Sequence, residues 1–337
     1  MDFDSLQPLL ERAITSRSQW FDPLHETAFR LFNGFSEGYP DLVLDVYGRT
    51  LVIHNYGDDP ETNQKLIEDV SKYIVGKHNW IHASIVRARN GKTPHEKNGY
   101  LIFGDSPTTR ITEHGVWYAI DLTMNRDASF YLDTRNLRKW LIKNSPGKSM
   151  LNMFAYTGSL GIAGLAGGAA SVIQVDRNRR FLELARASYA LNKLSEDNGE
   201  LLIQDFFTAV AKFKRSKQDF DCVILDPPFF SATSKGKVDQ VNESARLINK
   251  VRPLVRDEGS IIAINNALYV SGRDYMNTLD DLCKDGYLKI EKLIPVPEDV
   301  VGYSQISERI SDPAPFNHST KIAILRVKRK GTNWSIP

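Results

Sequence analysis

Apolar positions along this chain cluster in short runs whose period switches between helix and strand several times. Residues Ser5 to Trp20 set Leu6, Leu9, Leu10, Ala13 and Ile14 on one helical face, with Ser5 as a candidate cap and Pro8 placed in the first turn. Phe29 to Phe32, Leu42 to Tyr47 and Thr50 to Asn55 read as strands, and Tyr47-Gly48-Arg49 between the last two is a hairpin signal. A second helix over Glu61 to Val75 and a run from Trp80 to Arg87 complete a mixed module. Glu113 to Leu122 adds two further strand-like runs. The predicted boundary lies near Thr123, giving an N-terminal α+β module over 1–123 and a second domain over 124–337.

The second domain has a repeating grammar. A helix over Asp133 to Lys143 ends at Pro146-Gly147, and its Arg135, Arg138 and Lys139 read as a solvated basic face. The run from Met150 turns at Thr157-Gly158 into Ser159 to Ala166, where small and apolar residues recur at helical spacing. Ser171 to Val175 ends in Asp176. Leu201 to Ile203 is followed by Gln204-Asp205-Phe206, and Cys222 to Leu225 by Asp226-Pro227-Pro228-Phe229. Four successive strands thus end in polar residues at one edge of a sheet. Gly259 to Asn265 predicts another strand, Asp274 to Lys284 a helix, and Lys289 to Ile294 with Lys321 to Lys328 two last strands. The fold class is α/β, with a Rossmann-like parallel sheet beside the smaller N-terminal domain.

Open α/β sheets bind ligands at the carboxyl ends of their strands, where the strand order reverses. A dinucleotide site wants Gly-x-Gly-x-x-Gly so that the backbone can touch a pyrophosphate, whereas Phe154 and Tyr156 precede Thr157-Gly158 here. Asp176 follows the turn at about the spacing at which such folds place a carboxylate against ribose hydroxyls. A ligand with ribose and adenine but no phosphate, S-adenosylmethionine, fits the loop, Asp176 and Asp205 together.

At these residues the chain resembles the bacterial 23S ribosomal RNA large-subunit methyltransferases of the I and K types. Leu-Asn-Met-Phe-Ala-Tyr-Thr-Gly-Ser from Leu151, Val-Asp-Arg from Val175 and Leu-Asp-Pro-Pro-Phe-Phe-Ser from Leu225 carry the likeness. It extends to Phe130 through Arg135 and to Thr27 through Gly34. The resemblance implies a class I S-adenosylmethionine-dependent methyltransferase fold. It also implies that Phe130, Asp133 and Arg135 lie beside the cofactor, in addition to the candidate contacts at the strand ends, Asn152, Phe154, Ala155, Tyr156, Thr157, Gly158, Asp176, Arg177, Gln204, Asp205 and Phe206. On this resemblance the small RNA-binding domain that opens many type-I members is expected to be missing. In the family a module like 1–123 is thought to help hold substrate; a purely structural role is open on the residues alone.

Composition changes this picture little. The 337 residues are 42% hydrophobic and 25% charged, with a net charge of +2, which disfavours a globally basic nucleic-acid binder and leaves room for local patches. Two such clusters stand out, one at Arg87, Arg89, Lys92 and Lys97, the other at Lys321, Arg326, Lys328, Arg329 and Lys330, and the plain reading of either is a solvated charged face. Two cysteines give neither a disulfide framework nor metal spacing. No signal peptide or membrane span is expected, and a soluble cytoplasmic protein follows, without a metal and with homodimerisation open.

Methyl transfer from a sulfonium is an in-line displacement in which positioning matters most. Asp226, Pro227, Pro228 and Phe229 form the candidate catalytic loop. Its prolines are expected to project carbonyls and an aromatic ring into the crevice, Phe229 to stack on a base and Asp226 to accept from the base edge. Methylation of cytosine at C5 needs a thiolate, yet Cys222 lies in an apolar run, Cys283 in a helix, and Asn265-Asn266 stands where type-I enzymes carry cysteine. Asn-Asn resembles type K, whose activity at guanine N7 needs no covalent activation. The expected function is methylation of ribosomal RNA at a base nitrogen. A protein amide or small-molecule acceptor, and a silent RNA- or nucleoside-binding module, are the alternatives. His318, in the loop before the last strand, is expected to be solvated.

Overall fold

The computed structural model describes residues 2–304 and 311–329, so Lys330 of the second basic cluster lies outside the described residues. The chain forms two compact units, Met1–Arg135 with Pro297–Glu308, and Asn136–Val296 with Arg309–Pro337.

In the first unit α1 (Phe3–Ser16) is capped by Asp2, whose carboxylate accepts the Ser5 amide at 3.1 Å. Ser5 is therefore inside the helix, and Pro8 falls in its second turn. A five-stranded sheet follows in the order of the chain: β1 (Ala28–Asn33), β2 (Leu42–Tyr47), β3 (Thr50–Asn55), β4 (Ala83–Ala88) and β5 (Tyr100–Phe103). The first three strands are antiparallel, with Tyr47 paired to Thr50 across the two-residue turn. Two short helices, α2 (Gly34–Glu37) and α4 (Pro94–Asn98), flank it, and α3 (Gln64–Lys77) makes the crossover that leaves β4 parallel to β3. Leu6, Leu10, Val70 and Ile74 from α1 and α3 are buried against Leu44 and Ile53 of the sheet. A separate hairpin pairs β6 (Arg110–Glu113) with β7 (Val116–Ala119).

Two buried arginines explain why this unit runs past Thr123 and takes in a distant segment. Arg135 donates to both carboxylate oxygens of Asp299, at 2.7 and 3.2 Å, and to the Ala28 carbonyl at 2.8 Å. Arg17 makes a fork with Glu37 at 2.8 and 3.0 Å and donates to the Asp299 carbonyl. Removing one partner of such a pair strands a charge in low dielectric, which costs about 3–5 kcal/mol.

The second unit is built on a seven-stranded sheet. Its strands are β8 (Ser149–Met153), β9 (Ser171–Asp176), β10 (Gly199–Ile203), β11 (Phe220–Leu225), β14 (Val255–Asn265), β15 (Leu288–Ile294) and β16 (Lys321–Val327), in the spatial order β10-β9-β8-β11-β14-β16-β15. The first five in that order are parallel, and β16 runs antiparallel to both neighbours. This is the Rossmann-like sheet expected from the repeating strand-helix pattern. Helices α5 (Arg135–Asn144), α6 (Ser159–Ala166), α7 (Arg179–Leu191), α8 (Phe206–Ser216), α9 (Ser244–Val251) and α10 (Gly272–Cys283) accompany it. Leu151, Met153, Val223 and Leu225 point to the face covered by α8, α9 and α10. The alternating Met150 and Gln174 lie so close under α6 that a Cβ on Gly164 or Gly161 would sit 2.9 and 2.5 Å from them. The chain moves outward from β8 to β10 and then returns to β11 on the other side of β8. The order reverses between β8 and β11, so the loops after these two strands flank the crevice.

One element escaped the hydrophobic pattern. Phe230 to Asp239 forms a small hairpin, β12 (Phe230–Thr233) paired with β13 (Gly236–Asp239), directly after the Asp-Pro-Pro-Phe loop. Its sequence is too polar to announce a strand, although Ser234-Lys235-Gly236 is a turn signal.

Candidate active site

The loop after β8 is stitched to the end of β9. Ala155 donates its amide to the Val175 carbonyl at 2.9 Å, and Tyr156 donates its amide to Asp176 Oδ2 at 2.9 Å. The φ angles of Phe154, Tyr156 and Gly158 are +59°, +52° and +79°, so every second residue of the loop is left-handed. Such conformations cost on the order of 1 kcal/mol or more in a non-glycine residue and persist where surrounding contacts over-determine them. Here the contacts are visible: Phe154 stacks on Phe206 at 4.8 Å, and Tyr156 meets Phe181 edge-on at 4.6 Å. Thr157 is buried. Gly158 caps α6 without a side chain, leaving the first amides of that helix facing the loop.

Asp176 spends one acceptor on Tyr156 and another, Oδ1, on the Asn178 amide at 2.9 Å. Burial raises its carboxyl above the ordinary range, and the two amides only partly offset that shift. Gln204 ties β10 to this end through its amide, which donates to the Asp176 carbonyl at 3.0 Å. Its Oε1 is buried without a hydrogen-bond partner among the described residues. Arg177 is exposed beside them. Asp205 caps α8, with Oδ1 accepting the Phe207 and Thr208 amides at 2.9 and 3.4 Å. Phe206 is a core residue, 4% exposed, under Phe154.

Asn152 is buried below the loop and donates to Gln174 Oε1 at 3.0 Å, while Gln174 donates to the Tyr189 hydroxyl at 2.8 Å. This polar chain inside the α6 face was not visible in the sequence, because Gln174 looks like any polar interruption of a strand. Its role follows only from the glycines packed on it.

The loop after β11 is organised from elsewhere. Asp226 is half-buried, Pro227 buried, and Pro228 and Phe229 are exposed, with Phe229 at 47%. The Pro227 carbonyl accepts from the side-chain amide of Gln240, and the Phe229 carbonyl accepts the Gln240 backbone amide at 3.1 Å. These two carbonyls therefore face a buried glutamine rather than the crevice, a correction to the expectation that the prolines project them outward. Gln240 is 1% exposed and had no signal in the sequence beyond its place after the unpredicted hairpin. Its Oε1 accepts the Asn266 amide at 2.8 Å, and its carbonyl accepts Asn265 Nδ2 at 3.1 Å and the Ser244 hydroxyl at 2.6 Å. Asn265 Oδ1 accepts the Ala267 amide. Asn265-Asn266 thus closes the same knot.

Neither cysteine is placed for nucleophilic work. Cys222 sits in the middle of β11, 3% exposed, and burial pushes its thiol up to about 12. Cys283 ends α10 and is also shifted upward by burial. His318 is half-buried, and its Nδ1 accepts the Thr320 amide at 3.0 Å.

Phe130, Asp133 and Arg135 belong to the first unit, where Phe130 is buried and its carbonyl accepts the Tyr47 hydroxyl at 2.9 Å. Asp133 is half-buried. Arg135 and Arg138 are 3% and 0% exposed, so only Lys139 fits the solvated face expected of that helix. The solvated reading of the basic clusters holds for Arg89 and Lys92, which are exposed, and fails for their buried members. Arg87 is buried and donates to the Asn125 and Leu122 carbonyls, and Lys92 pairs with Glu61 at 2.7 Å. Lys321 is fully buried with Nζ donating to the Ala267 and Ser319 carbonyls, and burial lowers its ammonium to about 8. Lys328 is buried against Glu258, and Arg326 pairs with Glu291. Arg87, Lys321 and Lys328 are thus spent on the fold. No helix among the described residues is long and apolar enough to cross a membrane.

A family profile described as S-adenosylmethionine-dependent methyltransferase matches residues 30–293. The chain is similar to YwbD of Bacillus subtilis (strain 168), which carries the name of a ribosomal RNA large-subunit methyltransferase, at 27% identity over 317 residues, 89% of this chain and 76% of that protein. It is 31% identical over 240 residues to ribosomal RNA large subunit methyltransferase I of Aeromonas salmonicida, spanning 71% of this chain and 60% of that relative. Among solved structures, the methyltransferase SMU.776 complexed with SAH superposes with a TM-score of 0.85 at 21% identity, covering 97% of this chain and 82% of that one. A SAM-dependent methyltransferase from Streptococcus mutans gives 0.82 at 20% identity, with the same shares of the two chains. The last two likenesses concern the fold.

Proposed function

Because this chain belongs to the family of S-adenosylmethionine-dependent methyltransferases, we propose that it methylates a base of large-subunit ribosomal RNA, at a ring nitrogen such as guanine N7. S-adenosylmethionine is its cofactor, and when bound it supplies an electrophilic methyl group. The residues present fit that molecule. A desolvated carboxylate at Asp176 suits ribose hydroxyls, uncapped amides at the start of α6 suit a carboxylate, and the partnerless buried Oε1 of Gln204 suits a donor. On this reading Asp205 Oδ2, which makes no hydrogen bond among the described residues, accepts from adenine, and Phe154 with Tyr156 walls the pocket. Phe130, Asp133 and Arg135 stay proposed as cofactor neighbours through the family resemblance alone.

The observation that carries the choice of acceptor is the pairing of an exposed ring, Phe229, with the Asp226 carboxyl on a loop that contains no thiolate. A ring offers a flat base about 1–3 kcal/mol of stacking, and a carboxylate accepts from an amino or imino edge. A ring nitrogen attacks with its own lone pair, so the chain needs only to line up donor and acceptor and keep water out. The names carried by the relatives support RNA as substrate and the ribosome-bearing cytoplasm as the compartment. The test is transfer of labelled methyl groups to purified large-subunit rRNA followed by mass mapping. Methylated guanine is expected. Labelled 5-methylcytosine would reinstate covalent chemistry, and label on protein or small molecules with none on RNA would replace the acceptor.

A further inference from the structure

Phe230–Asp239 and the residue that follows it do more than decorate the sheet edge. The Asp226–Phe229 loop contains two prolines, which donate no backbone hydrogen bond, so the loop has few ways to fix itself from within. Two of its carbonyls are tied by one residue, Gln240, through its side-chain amide to Pro227 and its backbone amide to Phe229. The same side chain accepts the Asn266 amide at 2.8 Å with its other end. Asn265 Nδ2 and the Ser244 hydroxyl hold the Gln240 carbonyl. A side chain that is 1% exposed and satisfied at both ends has one available geometry, and it transmits that geometry from the end of β14 to the loop after β11.

We infer that Gln240 is the positioning residue of the methyl-acceptor loop: by bridging the Pro227 carbonyl and the Asn266 amide it fixes the angle at which Asp226 and Phe229 meet the acceptor. The inference rests on the reading of that loop as the acceptor site. It carries a consequence for specificity. An exocyclic amine presents two N–H groups and is best held by a carboxylate together with a neighbouring carbonyl. With the Pro227 and Phe229 carbonyls turned to Gln240, this loop favours an acceptor that needs fewer hydrogen-bond acceptors, as a ring nitrogen does.

Two variants separate positioning from bulk stability. Gln240→Met keeps the length and volume without the hydrogen bonds. Gln240→Glu restores both when protonated, because a neutral carboxyl has one O–H donor and one carbonyl acceptor, and loses the donor when ionised. For Gln240→Met we expect kcat per folded molecule on rRNA to fall about tenfold or more, as a small misplacement of an acceptor would produce, with affinity for S-adenosylhomocysteine changed by less than about twofold. Gln240→Glu should regain turnover relative to the wild type as pH falls. Hydrogen exchange read by mass spectrometry gives a measure free of RNA: peptides covering 226–232 and 264–268 should exchange faster in Gln240→Met, and those covering 150–176 should not. Wild-type kcat in Gln240→Met, a Glu variant whose pH profile parallels the wild type, or unchanged exchange at Asn266 would each overturn the inference. A wild-type protein that leaves rRNA unmethylated would instead remove the RNA reading, and the exchange result would still decide the role of Gln240.

Discussion

The two loops that flank the switch point of the large sheet are built by opposite means. The loop after β8 holds itself: its amides bind the end of the next strand, its rings pack on the neighbouring helices, and alternate residues accept left-handed conformations. The loop after β11 is held from outside, by a glutamine about a dozen residues further on that also grips β14. The first design suits a cofactor of fixed shape, since strain and dense packing hold a rigid cradle. The second leaves Phe229 exposed and lets a distant residue set its angle, which suits a surface that must receive a large substrate.

The largest effect should come from breaking the self-held loop. A Cβ on Gly158 would lie 2.7 Å from that of Ala185 and 2.8 Å from Gln174, in addition to the cost of φ +79°. Strain and overpacking together give Gly158→Ala a stability loss of about 2–4 kcal/mol. Gly286→Ala is the control, because its φ is +73° but nothing lies within 4 Å. It should lose only the conformational part, roughly 1–2 kcal/mol. Denaturant midpoints of both variants read the difference, and equal losses would show that close packing under α6 contributes nothing.

Next in size is the externally held loop. Phe229→Ala should cut methyl transfer by about tenfold to a hundredfold if its ring stacks on the acceptor, with cofactor affinity almost unchanged. Phe229→Tyr should keep most activity and Phe229→Leu should not. Equal turnover of the Tyr and Leu variants, measured per folded molecule, would sink the stacking role.

The same contrast explains what could be read from the sequence. The self-held half was legible because its parts are local: a strand, its turn and the carboxylate ending the next strand each carry their own pattern, and β8 to β11 stand where the apolar runs put them. The knot at Gln240 was not legible, since it depends on a hairpin too polar to signal itself and on contacts between residues 13 and 26 positions apart. Charged residues misled in the other direction. Arg135 and Lys321 look solvated in sequence because nothing local reveals the carboxylate and carbonyls that hold them. Asp299, which binds Arg135, lies 164 positions away.

Within the cofactor half, Asp176→Ala should weaken S-adenosylmethionine binding by roughly 1–3 kcal/mol, the worth of a charged acceptor for hydroxyl donors. The wild type should also show a pH signature. Burial raises the folded pKa of Asp176, so by itself this group stabilises the fold as pH falls through that raised value toward the unfolded one. Cofactor binding has the opposite sign, because hydroxyl donors favour the carboxylate. Affinity should therefore fall on acidification, starting above the ordinary aspartate value of about 3.9, and binding there should release protons. Calorimetry in buffers of different ionisation enthalpy measures both. A flat affinity through that window would remove Asp176 from the ribose.

The smallest effect is expected at the cysteines, and it tests whether the acceptor half works without a covalent nucleophile. Cys222 lies in the strand that delivers Asp226, three positions before Leu225, with its thiol raised to about 12 by burial. At neutral pH a group with that pKa holds almost no thiolate, and its place inside the sheet gives it no path to a base. Cys222→Ala should cost about 1 kcal/mol of stability for the lost sulfur contacts. Turnover per folded molecule should stay within about twofold of the wild type, the scatter of a buried change away from the chemistry. Cys283→Ala, at the end of α10, should cost less because that thiol is only half-buried. A mass shift showing either sulfur bonded to a nucleobase, or loss of transfer in a variant with native stability, would mean that the loop after β11 is not the whole acceptor machinery. Normal transfer by the double variant would leave positioning by Asp226, Phe229 and the Gln240 knot as the means by which this half of the sheet edge works.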